Sequence, residues 1–418
     1  MHDFQYRGDE LYCEGFPIRA IADEIGTPFY LYSLNTLENH FRAFQNAFSE
    51  VDHLVCFSAK ANSNIAILRV FSRMGGGIDV VSGGELFRAM KAWAKPEKIV
   101  YSGVGKRLDE IEYALEFPIL MFNVESSQEL VTIDRIAGRM RTKAPVALRV
   151  NPDVDPHTHP YISTGLRKNK FGINIQKSLE EYHMAKTLPN VQVIGVSCHI
   201  GSQLTEVDPF VEAVQRTKEL VQKLRAEGMT IRYLDMGGGL GITYNEEEPP
   251  HPMEYAQAML NELRGIDCTL ILEPGRVIVG NAGVLVTRVL YTKTGDEKNF
   301  IIVDAAMNDL IRPSLYGSYQ RIQPVQRVGR GEIVADVVGP ICESGDFLAK
   351  DRKLPNVEQG DLLAVMSAGA YGFSMSSNYN SRPRVAEVLV AGDKFYLIRQ
   401  REDYDDLIRG ELIPDFLA

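Results

Sequence analysis

The chain has 418 residues, more than one hydrophobic core usually fills, so two domains are expected. Its composition is that of an ordinary globular protein, and a formal net charge of −10 disfavours nonspecific attraction to nucleic acid or anionic membranes. Five cysteines (Cys13, Cys56, Cys198, Cys268, Cys342) stand far apart and without metal-ligand spacing, no signal-peptide pattern opens the chain, and no apolar run approaches membrane-spanning length, so a reducing, cytoplasmic setting is expected, with small molecules or further copies of the chain as partners.

In chain order, residues 10–16 read as a short strand, and 18–26 as a helix closed by glycine. Residues 27–32 are extended, and Ser33 is placed to cap a helix through Phe48. A rhythm then sets in. Short apolar runs at 54–57, 78–81, 99–101, 119–124, 146–150, 193–198, 231–236 and 270–272 alternate with segments of helical period. Eight strands each followed by a helix close into a (β/α)8 TIM barrel, whereas an open doubly wound sheet usually has fewer strands. After Pro274 the texture changes to short strands with Gly and Asp turns, at 284–291, 300–303, 333–338, 362–366, 386–390 and 394–398, which reads as a mostly antiparallel β-barrel or sandwich. The expected division is a barrel over 29–276 and a β domain over 1–28 plus 277–418.

In such a barrel the chemistry sits where strands end. The first strand ends in Phe57-Ser58-Ala59-Lys60, and a lysine behind a buried run is costly unless it has a task. In an apolar pocket the neutral amine is favoured and the nitrogen becomes a nucleophile, suited to a Schiff base. The second strand carries Asp79, the sixth runs into His199-Ile200-Gly201-Ser202, the seventh into Gly237-Gly238-Gly239, and the eighth into Glu273-Pro274-Gly275-Arg276. Glycine loops let backbone N–H groups approach an anion closely. A nucleophilic lysine, a phosphate cradle, a flat imidazole and a carboxylate able to keep a ring nitrogen protonated together describe a pyridoxal 5'-phosphate site.

From Phe57-Ser58-Ala59-Lys60 to Asn378-Tyr379-Asn380-Ser381-Arg382-Pro383-Arg384 the chain resembles the fold-type III pyridoxal phosphate-dependent decarboxylases, whose barrel is of the alanine racemase type. The resemblance implies Lys60 as the cofactor lysine, His199 on the pyridine face and Glu273 at the ring nitrogen. It also implies Ser202, Gly238, Gly239, Gly275, Arg276 and Tyr371 around the phosphate, with Asp79 nearby. Cys342-Glu343-Ser344-Gly345-Asp346 resembles a segment that a second subunit contributes, making a homodimer with shared sites the expectation. There Cys342 would protonate the substrate carbon and Glu343 would meet a distal ammonium. Arg312 and Tyr316 resemble residues that, with Arg276, hold a distal carboxylate. Together they imply the branch that decarboxylates meso-2,6-diaminopimelate at its D-centre to L-lysine and CO2. Relatives acting on ornithine, arginine or carboxynorspermidine, or a noncatalytic cofactor-binding relative, are the alternatives. Residues 153–165, with His157 and His159 two apart, belong with Lys170-Phe171-Gly172 to a closing loop by the same resemblance; no metal site is expected, because no matching ligand pair stands elsewhere.

Overall fold

The computed structural model describes residues 2–155, 158, 164–165 and 170–417. The chain divides into two compact units, Glu38–Ile278 and Met1–Leu37 with Val279–Ala418.

The first unit is a closed parallel barrel. Its strands are β1 (His53–Ser58), β2 (Gly77–Val80), β3 (Ile99–Tyr101), β4 (Met121–Val124), β5 (Ala144–Asn151), β6 (Val191–Cys198), β7 (Tyr233–Asp235) and β8 (Thr269–Leu272). Each pairs in parallel with its neighbour, and β8 pairs with β1 to close the ring. All eight expected strands form. Helices follow β1 through β7, while β8 is followed by a single turn, Arg276–Val279. Several helix starts are set by local chemistry. The side chains of Asn64, Ser82 and Ser126 accept from the backbone N–H of Ala66, Glu85 and Glu129, satisfying donors the helix leaves unpaired.

Side chains along a strand alternate between faces, so every second residue of β1 to β8 points into the barrel. One interior level is apolar: Cys56, Val100, Met121, Ala147, Ile194 and Ile271 pack together, with Tyr233 against them. Two residues further along, all of these strands but β6 become polar and buried: Ser58, Ser102, Asn123, Arg149, Asp235 and Glu273, joined by Asp79. The same period that builds the core delivers this layer to the end of the barrel that carries chemistry.

The second unit is a mixed, mostly antiparallel sheet. Its order is Phe347–Pro355, Glu332–Val338, Asn299–Val303, Gly283–Thr294, Phe29–Ser33, Ala386–Ala391 and Lys394–Arg399. Leu362–Val365 pairs with both Gly283–Thr294 and Ile322–Pro324. Two pairings are parallel, 300–302 with 336–338 and 29–33 with 386–390. The boundary expected at residue 29 therefore moves: Phe29–Ser33 is a strand of this sheet, with Phe29 and Leu31 in its core beside Val284, Val286 and Val388. Ser33 caps the next helix, accepting from the Thr36 N–H at 3.0 Å. Two strands of this sheet were not expected from the sequence, Ile322–Pro324 and Phe347–Pro355. The first is only three residues long, and the second reads Phe-Leu-Ala-Lys-Asp-Arg-Lys-Leu-Pro, with register shifts that break the alternation.

Ile271 is fully buried in the apolar level directly beneath the polar one. Ile271→Ala is expected to cost about 2–5 kcal/mol of stability, read as a lower midpoint in chemical denaturation of the whole chain.

Candidate active site

The polar end of the barrel is built around Lys60, which follows β1 in a single helical turn over Ala59–Ala61. Its Nζ donates to Asp79 Oδ2 at 2.7 Å, and Ser58 Oγ donates to the same oxygen at 2.8 Å. Asp79 is fully buried, and the Lys60 side chain is 35% exposed. Lys60 thus stands not in the apolar pocket that its preceding strand suggested but in an ion pair. A carboxylate at that distance favours the ammonium, so the lysine is held and aimed by Asp79.

Glu273 follows β8 and is buried across the same layer. Its Oε1 accepts from Ser102 Oγ at 3.3 Å and Asn123 Nδ2 at 3.4 Å. Burial, reinforced by the nearby Asp235 and Asp79 carboxylates, pushes its carboxyl well above the usual range, against the opposing pull of Lys60. Burial thus favours the protonated form of Glu273, and a cation brought to it would favour the carboxylate.

His199 follows β6. Burial, with the Arg149 and Lys60 cations nearby, pushes its imidazole well below the usual value, so the ring is neutral. Its Nδ1 accepts from the Gly238 N–H at 3.3 Å, which leaves the ring proton on Nε2. Gly238 belongs to the glycine turn after β7, where Gly237 and Gly239 have φ of 66° and 125°. A Cβ at Gly238 would run into the Glu273 carbonyl, so the turn lies flat against the strand end that only glycine permits. Ser202 and Arg276 meet at 3.0 Å between Oγ and Nη2, and Arg276 Nη1 donates to Tyr244 Oη at 2.7 Å.

The barrel unit thus brings together Lys60, Asp79, His199, Ser202, Gly238, Gly239, Glu273, Gly275 and Arg276. The remaining expected residues belong to the β unit. There Arg312 is buried, its guanidinium 5.4 Å from the Tyr316 ring centroid and 6.0 Å from that of Tyr371. Tyr371 has φ of 56°, an unusual backbone for a tyrosine. Cys342 and Glu343 are exposed. Their loop is pinned by the Asn378–Arg384 segment: the Cys342 N–H donates to Asn380 Oδ1 at 2.8 Å, and Tyr379 Oη donates to Glu343 Oε2 at 2.7 Å. The segment is pinned in turn by Glu402, which accepts from Asn378, the Arg384 backbone and the Arg384 guanidinium.

Three buried polar residues that the site includes were not among the expected ones: Ser102 just after β3, Asn123 within β4 and Asp235 at the end of β7. Ser102, Asn123 and Asp235 are polar, buried and bonded to the site, and their signal is a polar residue two places beyond an apolar interior position. Tyr244, on Arg276, carries no such signal. Of the expected closing loop, residues 156–157, 159–163 and 166–169 lie outside the described residues, His157 and His159 among them. At its stem, the Gly172 N–H donates to Glu125 Oε2 at 2.7 Å, and Glu125 Oε1 is held by Arg149 at 2.6 Å.

These residues fit pyridoxal phosphate. Asp79 Oδ1 is buried without a hydrogen-bond partner among the described residues, an acceptor facing the lysine's own layer. A neutral imidazole suits stacking on an aromatic ring, a buried acid waits for a cation, and the glycine turn with Ser202 and Arg276 offers donors to a phosphate.

Known proteins point the same way. Residues 34–280 match the pyridoxal binding domain of the pyridoxal-dependent decarboxylases. The diaminopimelate decarboxylase of Haemophilus influenzae is 52% identical over 409 residues, 97% of this chain and 98% of the relative. The crystal structure of the Helicobacter pylori diaminopimelate decarboxylase complexed with L-lysine superimposes with a TM-score of 0.91 at 45% identity, covering 94% of this chain and 98% of that one. The M. jannaschii diaminopimelate decarboxylase in co-complex with L-lysine gives 0.95 at 37% identity over the full length of both. By sequence and by fold, the chain belongs to the diaminopimelate decarboxylases, pyridoxal phosphate-dependent carboxy-lyases of fold type III.

Proposed function

We propose that the chain decarboxylates meso-2,6-diaminopimelate at its D-centre, giving L-lysine and CO2, the last step of lysine biosynthesis. The observation that carries this reading is Lys60 Nζ paired with buried Asp79 in the same layer as buried Glu273, whose carboxyl is pushed well above the usual range by burial. Pyridoxal phosphate bound there supplies an electron sink for the bond pair left when the carboxylate departs. Lys60 would hold the cofactor through Nζ, and Asp79 is the partner of its ammonium when the amine is free. His199 would lie on the flat face, Glu273 would hold a proton at the ring nitrogen, and Ser202, Gly238, Gly239, Gly275, Arg276 and Tyr371 would take the phosphate and its surroundings.

Specificity follows from charge. The far end of diaminopimelate is a zwitterion, so its site needs a cation as well as an anion. Buried Arg312, between Tyr316 and Tyr371, is suited to the carboxylate, with Arg276 assisting. Glu343, oriented by Tyr379, is suited to the ammonium. The L-lysine complexes of the two relatives support this reading, since lysine presents the same distal amino acid group. Cys342 delivers a proton to the substrate carbon. We assign Cys342 and Glu343 to the site of a partner subunit, which makes the working enzyme a homodimer, and the free cysteines suit a reducing cytoplasm.

Offered meso-diaminopimelate, ornithine and arginine in parallel, the cofactor-loaded protein is expected to form lysine with little turnover of the others and none by Lys60→Ala. Turnover of ornithine or arginine instead would overturn the substrate. Arg312→Ala is expected to lower kcat/KM for diaminopimelate by about 10²–10³-fold, as loss of one buried charge partner costs roughly 2–5 kcal/mol; an unchanged value would remove Arg312 from recognition. Cys342→Ala is expected to lower kcat by about 10²–10⁴-fold with the cofactor absorbance unchanged. Mixing that variant with Lys60→Ala restores activity if Cys342 serves its partner, and mixed subunits that stay inactive would refute sharing.

A further inference from the structure

Asp235 has no part in the chemistry above, yet it is fully buried two residues before the glycine turn. Its Oδ1 accepts from the Gly237 N–H at 2.9 Å, which fixes the carboxylate plane. Its Oδ2 accepts from Asn123 Nδ2 at 2.7 Å and from Ser197 Oγ at 3.4 Å. Asn123 Nδ2 also lies 3.4 Å from Glu273 Oε1 and 3.0 Å from Ser102 Oγ, so one amide bridges two buried acids. The other charged groups facing the pair are Asp79 from β2 and Lys60 after β1, already paired with each other.

Two buried carboxyls joined through one amide cannot both ionise at low cost. We propose that Asp235 is a positioning residue for Glu273: bridged by Asn123, the two carboxyls hold one proton between them in the cofactor-free chain, and Glu273 gives that proton to solvent when a protonated ring nitrogen becomes its partner. This rests on the reading of Glu273 as the partner of that nitrogen. Which acid keeps the proton is set by the surroundings. Asp235 receives the Gly237 N–H, the Asn123 amide and the Ser197 hydroxyl, all favouring its anion, and burial leaves it at about 6. Among the described residues Glu273 receives two longer contacts, both on Oε1, and burial beside Asp235 and Asp79 pushes its carboxyl well above the usual range. Glu273 therefore donates and Asp235 accepts, which turns the Glu273 carboxyl into one arrangement before any ligand arrives. Asp235 stays bound to Gly237, so the negative charge offered to the ring is that of Glu273 alone.

The test reads the proton directly, through the carbonyl stretch of a protonated carboxyl in infrared difference spectra of the full chain, before and after loading with pyridoxal phosphate. Before loading, at neutral pH, a band is expected that Glu273→Gln lacks. Its titration midpoint falls by about one pH unit or more in Asp235→Asn, where the like charge is gone. It rises in Asn123→Ala, where a donor to both anions is gone. Opposite signs separate this coupling from a general loosening of the barrel, which would move both variants alike. Equal midpoints in wild type and Asp235→Asn would overturn the proposal. A band that persists after loading, with the Asp235→Asn shift intact, would instead overturn the assignment of Glu273 to the ring nitrogen and the proton release with it.

Discussion

Burying three carboxyls at one end of a barrel is the constraint on which the rest of this structure depends. Asp79, Asp235 and Glu273 are almost wholly removed from water, and the cation within hydrogen-bond reach of Asp79 is Lys60. Left bare, such a cluster would be among the costliest features a fold can carry. Each acid has a different answer: Asp79 takes an ammonium, Asp235 takes a backbone N–H, an amide and a hydroxyl, and Glu273 is pushed by burial toward its neutral form. The three answers match the roles proposed above, namely aiming a nucleophile, bracing a turn and meeting a cation.

Much of this was legible before any coordinates. Apolar runs of β-branched residues at regular spacing located all eight barrel strands, because a strand buried on both faces must be continuously apolar. Lys60, His199, Glu273 and Arg276 were visible because they break that apolarity where a strand ends. Asn123 and Asp235 were not, because each lies inside its run, one polar residue among apolar neighbours, and only the alternation of faces shows that it points inward. The environment of Lys60 was misjudged for a related reason: the residues beside it in sequence are apolar, while Asp79, its neighbour in space, arrives from the next strand.

The β unit was less legible. Its strands are exposed on one face or shifted in register, so Phe347–Pro355, rich in charge, gives no alternating signal. The strand over Phe29–Ser33 is buried along its whole length, and nothing local distinguishes it from a first barrel strand. Pairing partners decide, and they lie far away in sequence. In the Cys342 loop the motif is visible in the sequence, but its support by Asn380, Tyr379 and Glu402 emerges only from contacts between segments.

The place of Phe29–Ser33 has a consequence for how the molecule is made. The strand sits between Gly283–Thr294 and Ala386–Ala391, so both of its edges are completed by chain that leaves the ribosome long after it does. The barrel, by contrast, is contiguous over Glu38–Ile278 and has its whole core in hand once β8 has emerged. Synthesis therefore presents a folded barrel first, preceded by a sticky five-residue strand with two open edges, which must stay unpaired until the final third of the protein exists. Contacts this distant in sequence are slow to form, so any hazard of misassembly in this protein falls on the first 37 residues rather than on its catalytic barrel.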